Sequence, residues 1–312
     1  MTARTAMAVP KATDRYRVAE ERLWKQWGLE PTERFIDLQS PPVRLRVVEV
    51  GSGPPVLFVP GTGGTGPYWA PLVQALKGYR CLMVDRPGWG LSESIDYSQH
   101  PYGPMAADLL TGVLNAFEVG SAHFVGASIG WLWALRLAQR DPARVEKIVL
   151  LGGGPNSEIP MSTFLKLLAS PIGNLMVRIP AKPKMIQSQL RALGHGASLE
   201  NGRMADYVEW RVSFANETKS MANERAMIRA LLEGGRFRPG FAFEDGELAQ
   251  IPHPTLMVFG SADPTGNVEV WKRFMDALPA GKLSVRKGAG HMHWWDDPTG
   301  VGEEVVAFLR GG

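Results

Sequence analysis

The 312-residue sequence predicts an α/β fold with a mostly parallel central sheet flanked by helices. Short apolar runs alternate with helical segments, which is typical of successive βαβ units and of a parallel sheet. Residues 155–245 interrupt this alternation with a largely helical composition, and the alternation then resumes. We therefore expect one sheet with a helical cap inserted after the sixth strand, over the carboxyl edge where open α/β sheets bind ligands.

The N-terminal part predicts a helix and an antiparallel edge of the sheet. Residues 12–28 carry apolar side chains at helical spacing among charges, namely Tyr16, Ala19, Leu23, Trp24 and Trp27. Two short strands follow near 34–38 and 43–50, before a Gly/Pro-rich turn at 51–55. We expect these strands to pair antiparallel, which suits a mixed sheet.

The parallel part of the sheet begins at 56–59, a continuously apolar run expected of a strand covered on both faces. The predicted elements that follow are a helix near 68–77, a strand at 81–84, a helix over 103–117, a strand at 123–125, a helix over 129–140 and a strand at 148–151. Beyond the insertion come a strand at 255–259, a helix near 267–278, a strand near 282–286 and a helix near 299–310. The predicted organisation is an extension (1–30), a core (31–154 and 246–312) and a cap (155–245).

Composition excludes several classes of protein. The 34 basic and 31 acidic residues leave a net charge of +3, too weak a field to indicate nucleic-acid binding. Cys81 is the one cysteine, so an internal disulfide or a thiolate metal site cannot form, and its apolar neighbours predict a buried strand position. No uncharged apolar stretch reaches 18 residues and no secretory leader is recognisable, so we expect a cytoplasmic protein without a membrane span.

The strongest local motif is Gly126-Ala127-Ser128-Ile129-Gly130, between a predicted strand and a predicted helix. A serine on so sharp a turn has a strained backbone, and the flanking glycines relieve the crowding around it. The turn projects the Ser128 hydroxyl above the sheet, beside the N–H of Ile129 at a helix N-terminus. Because a serine hydroxyl is a weak nucleophile, it needs an adjacent base.

Two later motifs follow predicted strands and complete a serine–acid–histidine order: Gly260-Ser261-Ala262-Asp263-Pro264 and Gly288-Ala289-Gly290-His291. With the tract Asp85-Arg86-Pro87-Gly88-Trp89-Gly90-Leu91-Ser92 after the fourth strand, the chain resembles the α/β-hydrolase family from about residue 34 to 310. The resemblance is to serine-nucleophile members with a helical cap after the sixth strand. It implies that Ser128 is the nucleophile, His291 the base and Asp263 the residue that orients this base.

The resemblance also implies an oxyanion hole in the glycine-rich loop at 60–66, made by the N–H groups of Thr62 and Ile129. Most relatives carry a histidine, which often steadies this loop, where this chain has Pro60. Gly61, Gly63 and Trp131 are the residues expected to contact the substrate.

His293 competes with His291 for the role of base, since it lies two residues away on the same loop. The family's spacing from the histidine to Asp296 and Pro298 favours His291. The other histidines are expected to be structural or at the surface, and none lies in a metal-ligand motif; they are His100, His123, His195 and His253.

A competing interpretation uses the same glycine-rich loop. Gly61, Gly63 and Gly66 match a dinucleotide-binding fingerprint, with Asp85 placed 19 residues beyond Gly66 to bind a ribose hydroxyl. This would indicate an NAD-dependent oxidoreductase, but it leaves the three triad positions without a role. A third class, a protein of this fold that binds without catalysis, also leaves them unused.

Serine at position 128 argues against the haloalkane dehalogenases and epoxide hydrolases of this fold, which use aspartate there. Carbon–carbon hydrolases of ring-cleavage products use serine, but they usually carry asparagine near it and tryptophan directly after the histidine, where this chain has Ala127 and Met292. Ester hydrolysis is therefore ranked first, with a carbon–carbon hydrolase or lactonase as the alternative.

The cap segment bears on the substrate class. Residues 155–199 are rich in apolar and basic side chains and contain a single acid, Glu158. This composition fits a helical cap packed on the sheet, and it also fits an apolar entrance for a hydrophobic or medium-chain acyl ester. The expected partner is thus a small-molecule ester, with no organic cofactor or metal required; the oligomeric state stays open.

Overall fold

The computed structural model describes residues 14–159, 161–233, 236–243 and 245–311; part of the predicted extension, residues 1–13, lies outside these ranges. The strands in chain order are β1 (Thr32–Gln39), β2 (Pro42–Val50), β3 (Pro55–Val59), β4 (Arg80–Val84), β5 (Ala122–Ala127), β6 (Val145–Leu151), β7 (Leu232–Glu233), β8 (Arg236–Phe237), β9 (Thr255–Gly260) and β10 (Gly281–Arg286). Eight of them form one sheet in the order β1-β2-β4-β3-β5-β6-β9-β10, and β7 pairs with β8 separately.

The sheet is antiparallel at one edge and parallel elsewhere, as predicted. β1 pairs antiparallel with β2, and β2 pairs antiparallel with β4. From β4 through β3, β5, β6 and β9 to β10, every neighbouring pair is parallel. The fold prediction is therefore confirmed. Because the inner strands are covered on both faces, β5 and β9 are buried along their whole length.

The described helices are α1 (Asp14–Gln26), α2 (Ala70–Ala75), α3 (Tyr102–Ala116), α4 (Trp131–Arg140), α5 (Thr163–Ala169), α6 (Gly173–Met176), α7 (Pro183–Ala192), α8 (Gly196–Glu200), α9 (Ala205–Glu217), α10 (Ser220–Leu231), α11 (Asp245–Leu248), α12 (Val268–Asp276), α13 (His293–Asp296) and α14 (Pro298–Arg310). Side chains cap several of their first turns: Asn267 accepts the Val270 N–H, and Asp297 accepts the Gly300 N–H.

The predicted helix near 68–77 differs from the structure. A short 3₁₀ helix occupies Gly66–Trp69, and α2 begins only at Ala70. Pro67 and Pro71 each lie in the first turn of one of these helices, where the missing N–H costs least. A single helix through both prolines would lose an internal hydrogen bond at Pro71.

The inserted segment lies against loops at the carboxyl ends of the parallel strands. Arg211 of α9 donates a hydrogen bond to Gly63 O after β3, and Met227 of α10 accepts one from Arg86 after β4. Leu193, after α7, accepts the N–H of His291 beyond β10. Its interpretation as a cap domain spanning 155–245 stays a prediction. In the described ranges, no helix is both long and apolar enough to span a bilayer.

Candidate active site

Ser128 lies on a strained turn between β5 and α4. Its backbone φ is +50°, and a short 3₁₀ helix runs from Ser128 to Gly130. A side chain at Gly126 would overlap the backbone of Trp131, and one at Gly130 would overlap Val59 O. Only glycine therefore allows this close approach of strand, turn and helix. Ser128 is half-buried, so it stays partly accessible to solvent.

Asp263 and His291 meet across the loops that follow β9 and β10. His291 Nδ1 lies 2.8 Å from Asp263 Oδ2. The same carboxylate oxygen accepts the N–H of Gly153 at 3.0 Å. Among the described residues, no hydrogen bond joins Ser128 to His291, so the complete triad stays a prediction. Catalytic hydrogen bonds are often long in a site without substrate.

Thr265 is a member of this cluster that the sequence motifs did not single out. Its hydroxyl and its N–H donate to Asp263 Oδ1 at 2.5 and 2.8 Å, and its hydroxyl lies 3.3 Å from His291 Nδ1. A threonine two residues after an aspartate is a common turn pattern in which the carboxylate accepts the later N–H. The spacing Asp263-Pro264-Thr265 carried that signal.

The electrostatics of the pair keep Asp263 ionised. Burial alone would raise its pKa, but the attraction of His291 and the hydrogen bonds from His291, Thr265 and Gly153 outweigh burial and lower the pKa to about 2. Burial alone would likewise lower the pKa of His291, whereas the Asp263 carboxylate raises it above the ordinary value. Asp263 therefore favours the imidazolium that a base forms when it takes a proton.

His293 lacks the carboxylate partner that His291 has. It is fully buried, and neither ring nitrogen has a hydrogen-bond partner among the described residues. Burial lowers the pKa of His293 to about 3. With no hydrogen-bond partner and a lowered pKa, His293 is the weaker base, which supports the choice of His291.

The glycine-rich loop is held by two arginines. Arg86 Nη2 donates to Gly61 O at 2.8 Å, and Arg211 Nη1 donates to Gly63 O at 2.5 Å. Gly61 O belongs to the same trans peptide as the Thr62 N–H, so this N–H points away from Arg86. A side chain at Gly61 would lie 3.0 Å from Ser128 Cβ, so the loop runs directly beside the nucleophilic turn.

Glu224 of α10 completes a buried charge cluster at this loop. Burial raises its pKa, and the nearby Arg211 and Arg86 oppose that shift. The guanidinium of Arg86 also lies 4.2 Å from the centre of the Trp89 ring. With two arginines and one glutamate, the cluster is positive when all three groups are ionised.

Two expected roles for this region have different outcomes. Trp131, expected to contact substrate, is fully buried, and its ring packs against Trp271 and Phe274; a substrate contact stays a prediction. Asp85 is also fully buried, and its carboxylate accepts the Gly66 N–H at 3.0 Å and faces Arg46. It is therefore not free to bind a ribose, which removes the key residue of the dinucleotide interpretation.

Metal chemistry has no donor set in the described residues. In these ranges there is no group of three or more His, Cys, Asp or Glu side chains that could hold an ion. Cys81 is buried, and burial raises the pKa of its thiol to about 12. A catalytic role of Ser128, His291, Asp263 and the N–H groups around them stays a prediction.

Comparison with known proteins places this site in context. A model of the alpha/beta hydrolase family matches residues 56–304. A curated relative from Burkholderia vietnamiensis, named 2-hydroxy-6-oxononadienedioate/2-hydroxy-6-oxononatrienedioate hydrolase, is 29% identical and covers 89% of this chain and 96% of its own. A relative of the same name from Escherichia coli K12 is 25% identical over the same shares.

Solved structures share the fold at lower identity. A 2-hydroxy-6-oxo-6-phenylhexa-2,4-dienoate hydrolase from Rhodococcus superposes with a TM-score of 0.74 at 19% identity, over 91% of this chain and 100% of its own. A carboxylesterase from Bacillus subtilis superposes with a TM-score of 0.70 at 19% identity, over 96% of this chain and 98% of its own.

Proposed function

Because the chain belongs to the alpha/beta hydrolase family, we propose that it is a serine hydrolase that cleaves a carbon–carbon bond beside a ketone in an unsaturated carboxylate substrate. One observation carries this choice of bond: curated relatives that align with 89% of the chain are named as hydrolases of 2-hydroxy-6-oxononadienedioate and 2-hydroxy-6-oxononatrienedioate. It reverses the order expected from the sequence, which ranked ester hydrolysis above carbon–carbon hydrolysis.

In the proposed reaction, His291 takes the Ser128 proton while Oγ attacks the ketone carbon. The N–H groups of Thr62 and Ile129 hold the oxyanion that forms, and the orientation of the Gly61–Thr62 peptide supports this role for Thr62. When the oxyanion collapses, the carbon–carbon bond breaks, and the leaving carbon takes the proton from His291. His291 then activates a water molecule that releases the acyl group from Ser128, while Asp263 stays ionised throughout.

A substrate with carboxylates suits the charge around the site. Arg211 is half-buried and lies where the inserted segment meets the glycine-rich loop. Arg86 adds a second positive charge below this loop, against the single negative charge of Glu224. Guanidinium groups are the preferred protein partners of carboxylates, which supports an anionic substrate over a neutral ester.

Ester hydrolysis stays as a second candidate because of two particular residues. Ala127 precedes the nucleophile and Met292 follows the histidine, whereas carbon–carbon hydrolases of this family usually have asparagine near the serine and tryptophan directly after the histidine. Both are buried beside the catalytic groups, so their identity shapes the site directly.

A substrate panel tests the choice between the two bonds. The substrate 2-hydroxy-6-oxononadienedioate and p-nitrophenyl esters of graded chain length would be compared by kcat/KM. Ser128→Ala is the control for background hydrolysis. We expect the dienedioate to exceed every ester by at least about tenfold, since its carboxylates add charge-assisted contacts. A preference for the esters, abolished in Ser128→Ala, would replace carbon–carbon hydrolysis with ester hydrolysis.

A further inference from the structure

The N-terminal helix α1 lies outside residues 56–304, which match the family, yet it contacts the glycine-rich loop directly. Tyr16 Oη lies 3.0 Å from Thr65 Oγ1, and both residues are fully buried. Further along α1, the Trp24 ring packs on the same loop: a side chain at Gly66 would lie 3.2 Å from this ring. This helix therefore covers the Thr65–Gly66 end of the loop.

A second connection runs through buried charges. Glu20 of α1 accepts hydrogen bonds from Arg46 Nη1 and Nη2 at 2.8 and 3.0 Å. Arg46 Nη1 also lies 3.4 Å from Asp85 Oδ2, and Asp85 Oδ1 accepts the Gly66 N–H at 3.0 Å. Glu20, Arg46 and Asp85 are each no more than 4% exposed. The chain of contacts thus links α1, β2 and the end of β4 to one N–H of the loop.

This arrangement restrains a segment that is otherwise hard to hold in one conformation. Gly61, Gly63, Gly64 and Gly66 lie within six residues, and glycine loses more conformational freedom on ordering than other residues. Arg86 and Arg211 hold its first half, at Gly61 and Gly63. At its second half, the contacts described above come from Tyr16 directly and from Glu20 through Arg46 and Asp85.

We propose that α1 positions the glycine-rich loop at 60–66. Tyr16 and Glu20 hold Thr65 and Gly66, so that the Thr62 N–H keeps its direction towards the developing oxyanion. The inference rests on the proposed function insofar as Thr62 is the donor. Neither Tyr16 nor Glu20 touches substrate. Their removal loosens the loop and so weakens an interaction that matters in the transition state more than in substrate binding.

Point variants test this better than deletion of α1, which would also remove the buried side chains of Leu23 and Trp24 and expose the core that they cover. Tyr16→Phe removes only the hydroxyl, and Glu20→Gln removes only the charge. Glu21→Gln is the matched control, because Glu21 is exposed on the same helix and pairs with Lys25. Thermal unfolding would be used to check that each variant is folded.

The first measurement is amide hydrogen exchange of the segment 60–69. We expect faster exchange there in Tyr16→Phe and Glu20→Gln, and no change in Glu21→Gln, because an opened loop exposes the Gly66 N–H. Exchange equal to wild type in both variants would overturn the proposal. This readout needs no substrate, so it decides the proposal even if the protein fails as a serine hydrolase.

The second measurement is steady-state kinetics with the substrate that wild type turns over fastest. We expect kcat to fall about tenfold in Tyr16→Phe, with KM changed less than about twofold, as for a group that acts on the transition state alone. In a double-mutant cycle, Thr65→Val should add little to Tyr16→Phe, since both remove the same contact. A rise in KM at constant kcat, or additive losses, would overturn the positioning role.

A separate experiment tests the proposed function independently of the role of α1. If a fluorophosphonate leaves wild-type Ser128 unmodified, the serine mechanism is wrong, whereas the exchange result still decides whether α1 holds the loop. If wild type is modified and Tyr16→Phe reacts at the same rate, the mechanism stands and the positioning role of Tyr16 is wrong.

Discussion

At the scale of single residues, the contacts of the Asp263 carboxylate support His291 over His293 as the predicted base. It accepts hydrogen bonds from His291, Thr265 and Gly153, so both of its oxygens are occupied in the ionised form. His291 Nδ1 must then carry the proton that it shares with Asp263, which leaves Nε2 as the basic nitrogen. His293 lacks any such partner among the described residues.

The pH dependence of the rate follows from this pair. With His291 as the proposed base, its neutral form is the active one, and Asp263 raises the pKa of His291 above its ordinary value. We therefore expect kcat/KM to rise with pH through a midpoint above about 6.5. In Asp263→Asn the midpoint should move to lower pH and kcat should fall by about 10³- to 10⁴-fold. An unchanged midpoint in this variant would show that another group controls the rate.

We expect the alanine variants of His291 and His293 to differ in activity and in stability. His291→Ala should lower kcat on the order of 10³-fold or more, with the fold intact, because the base is lost. His293→Ala should change kcat by less than about tenfold but lower the free energy of unfolding by about 1–3 kcal/mol, since it leaves a cavity in the core. Parallel kinetics and urea unfolding would measure both. A catalytically dead His293→Ala that unfolds like wild type would reverse the assignment.

The residues that the sequence predicted and those it did not differ in how they are encoded. Ser128, Asp263 and His291 each sit in a short motif after a strand, so order along the chain identifies them. Arg211 and Gly63 lie 148 positions apart in the sequence, so no local pattern predicts the hydrogen bond between them. Tyr16 is identified only as an apolar position on an amphipathic helix, and no pattern singles out Glu20.

At the scale of elements, the turn between α7 and α8 connects the inserted segment to the loop at 287–292, which carries His291 and is called the histidine loop below. His195 Nδ1 donates to Asp296 at 2.9 Å, and His195 Nε2 accepts the Met292 N–H at 3.1 Å, which fixes its tautomer. Asp296 also accepts the Ser198 hydroxyl at 2.6 Å and the Gly290 N–H at 2.8 Å. The two residues that flank His291 are thus both held through this pair.

Loss of this fastening should affect catalysis more than folding. Asp296→Ala removes the acceptor for His195 and for the Gly290 N–H, so we expect the histidine loop to loosen and kcat to fall about tenfold. Ser198→Ala is the matched control, because it removes one hydrogen bond to Asp296 and leaves the other two; it should cost less than about threefold. Kinetics at constant pH would measure both. Equal effects of the two variants would argue against the role of Asp296 in holding the loop.

Most elements were predicted within a few residues, and the exceptions have local causes. Apolar runs identified the inner strands because both faces are buried, although β5 extends from Ala122 to Ala127 rather than over 123–125. The expected helix near 68–77 is divided, because a 3₁₀ helix ends at Trp69 and α2 begins at Ala70 with Pro71 in its first turn. The hairpin of β7 and β8 was not predicted, since strands of two residues carry no detectable periodicity.

At the scale of the whole molecule, the sheet gathers the chemistry at one edge. Ser128 follows β5, Asp263 follows β9, His291 follows β10 and the glycine-rich loop follows β3. Because these strands are parallel, their carboxyl ends meet at the same edge. The inserted helices contact this edge and bring Arg211 to it.

Arg211 gives a direct test of the charge of the substrate. If a carboxylate binds near this guanidinium, Arg211→Gln should raise KM for a 2-hydroxy-6-oxo-dienedioate by about tenfold or more, as the loss of a charge-assisted contact predicts. KM for a neutral p-nitrophenyl ester should change far less, which makes the ester the internal control. Equal changes for both substrates would indicate that Arg211 only supports the loop at Gly63.

The most direct test of the account is covalent modification of Ser128. Wild type, Ser128→Ala, His291→Ala and His293→Ala would be treated with a fluorophosphonate, and the modified peptide would be identified by mass spectrometry. The account predicts one phosphonyl adduct on Ser128 in wild type and in His293→Ala, none in Ser128→Ala, and a rate at least about 10²-fold lower in His291→Ala, since the base activates the serine. An unmodified wild-type protein, or an adduct on a residue other than Ser128, would contradict it.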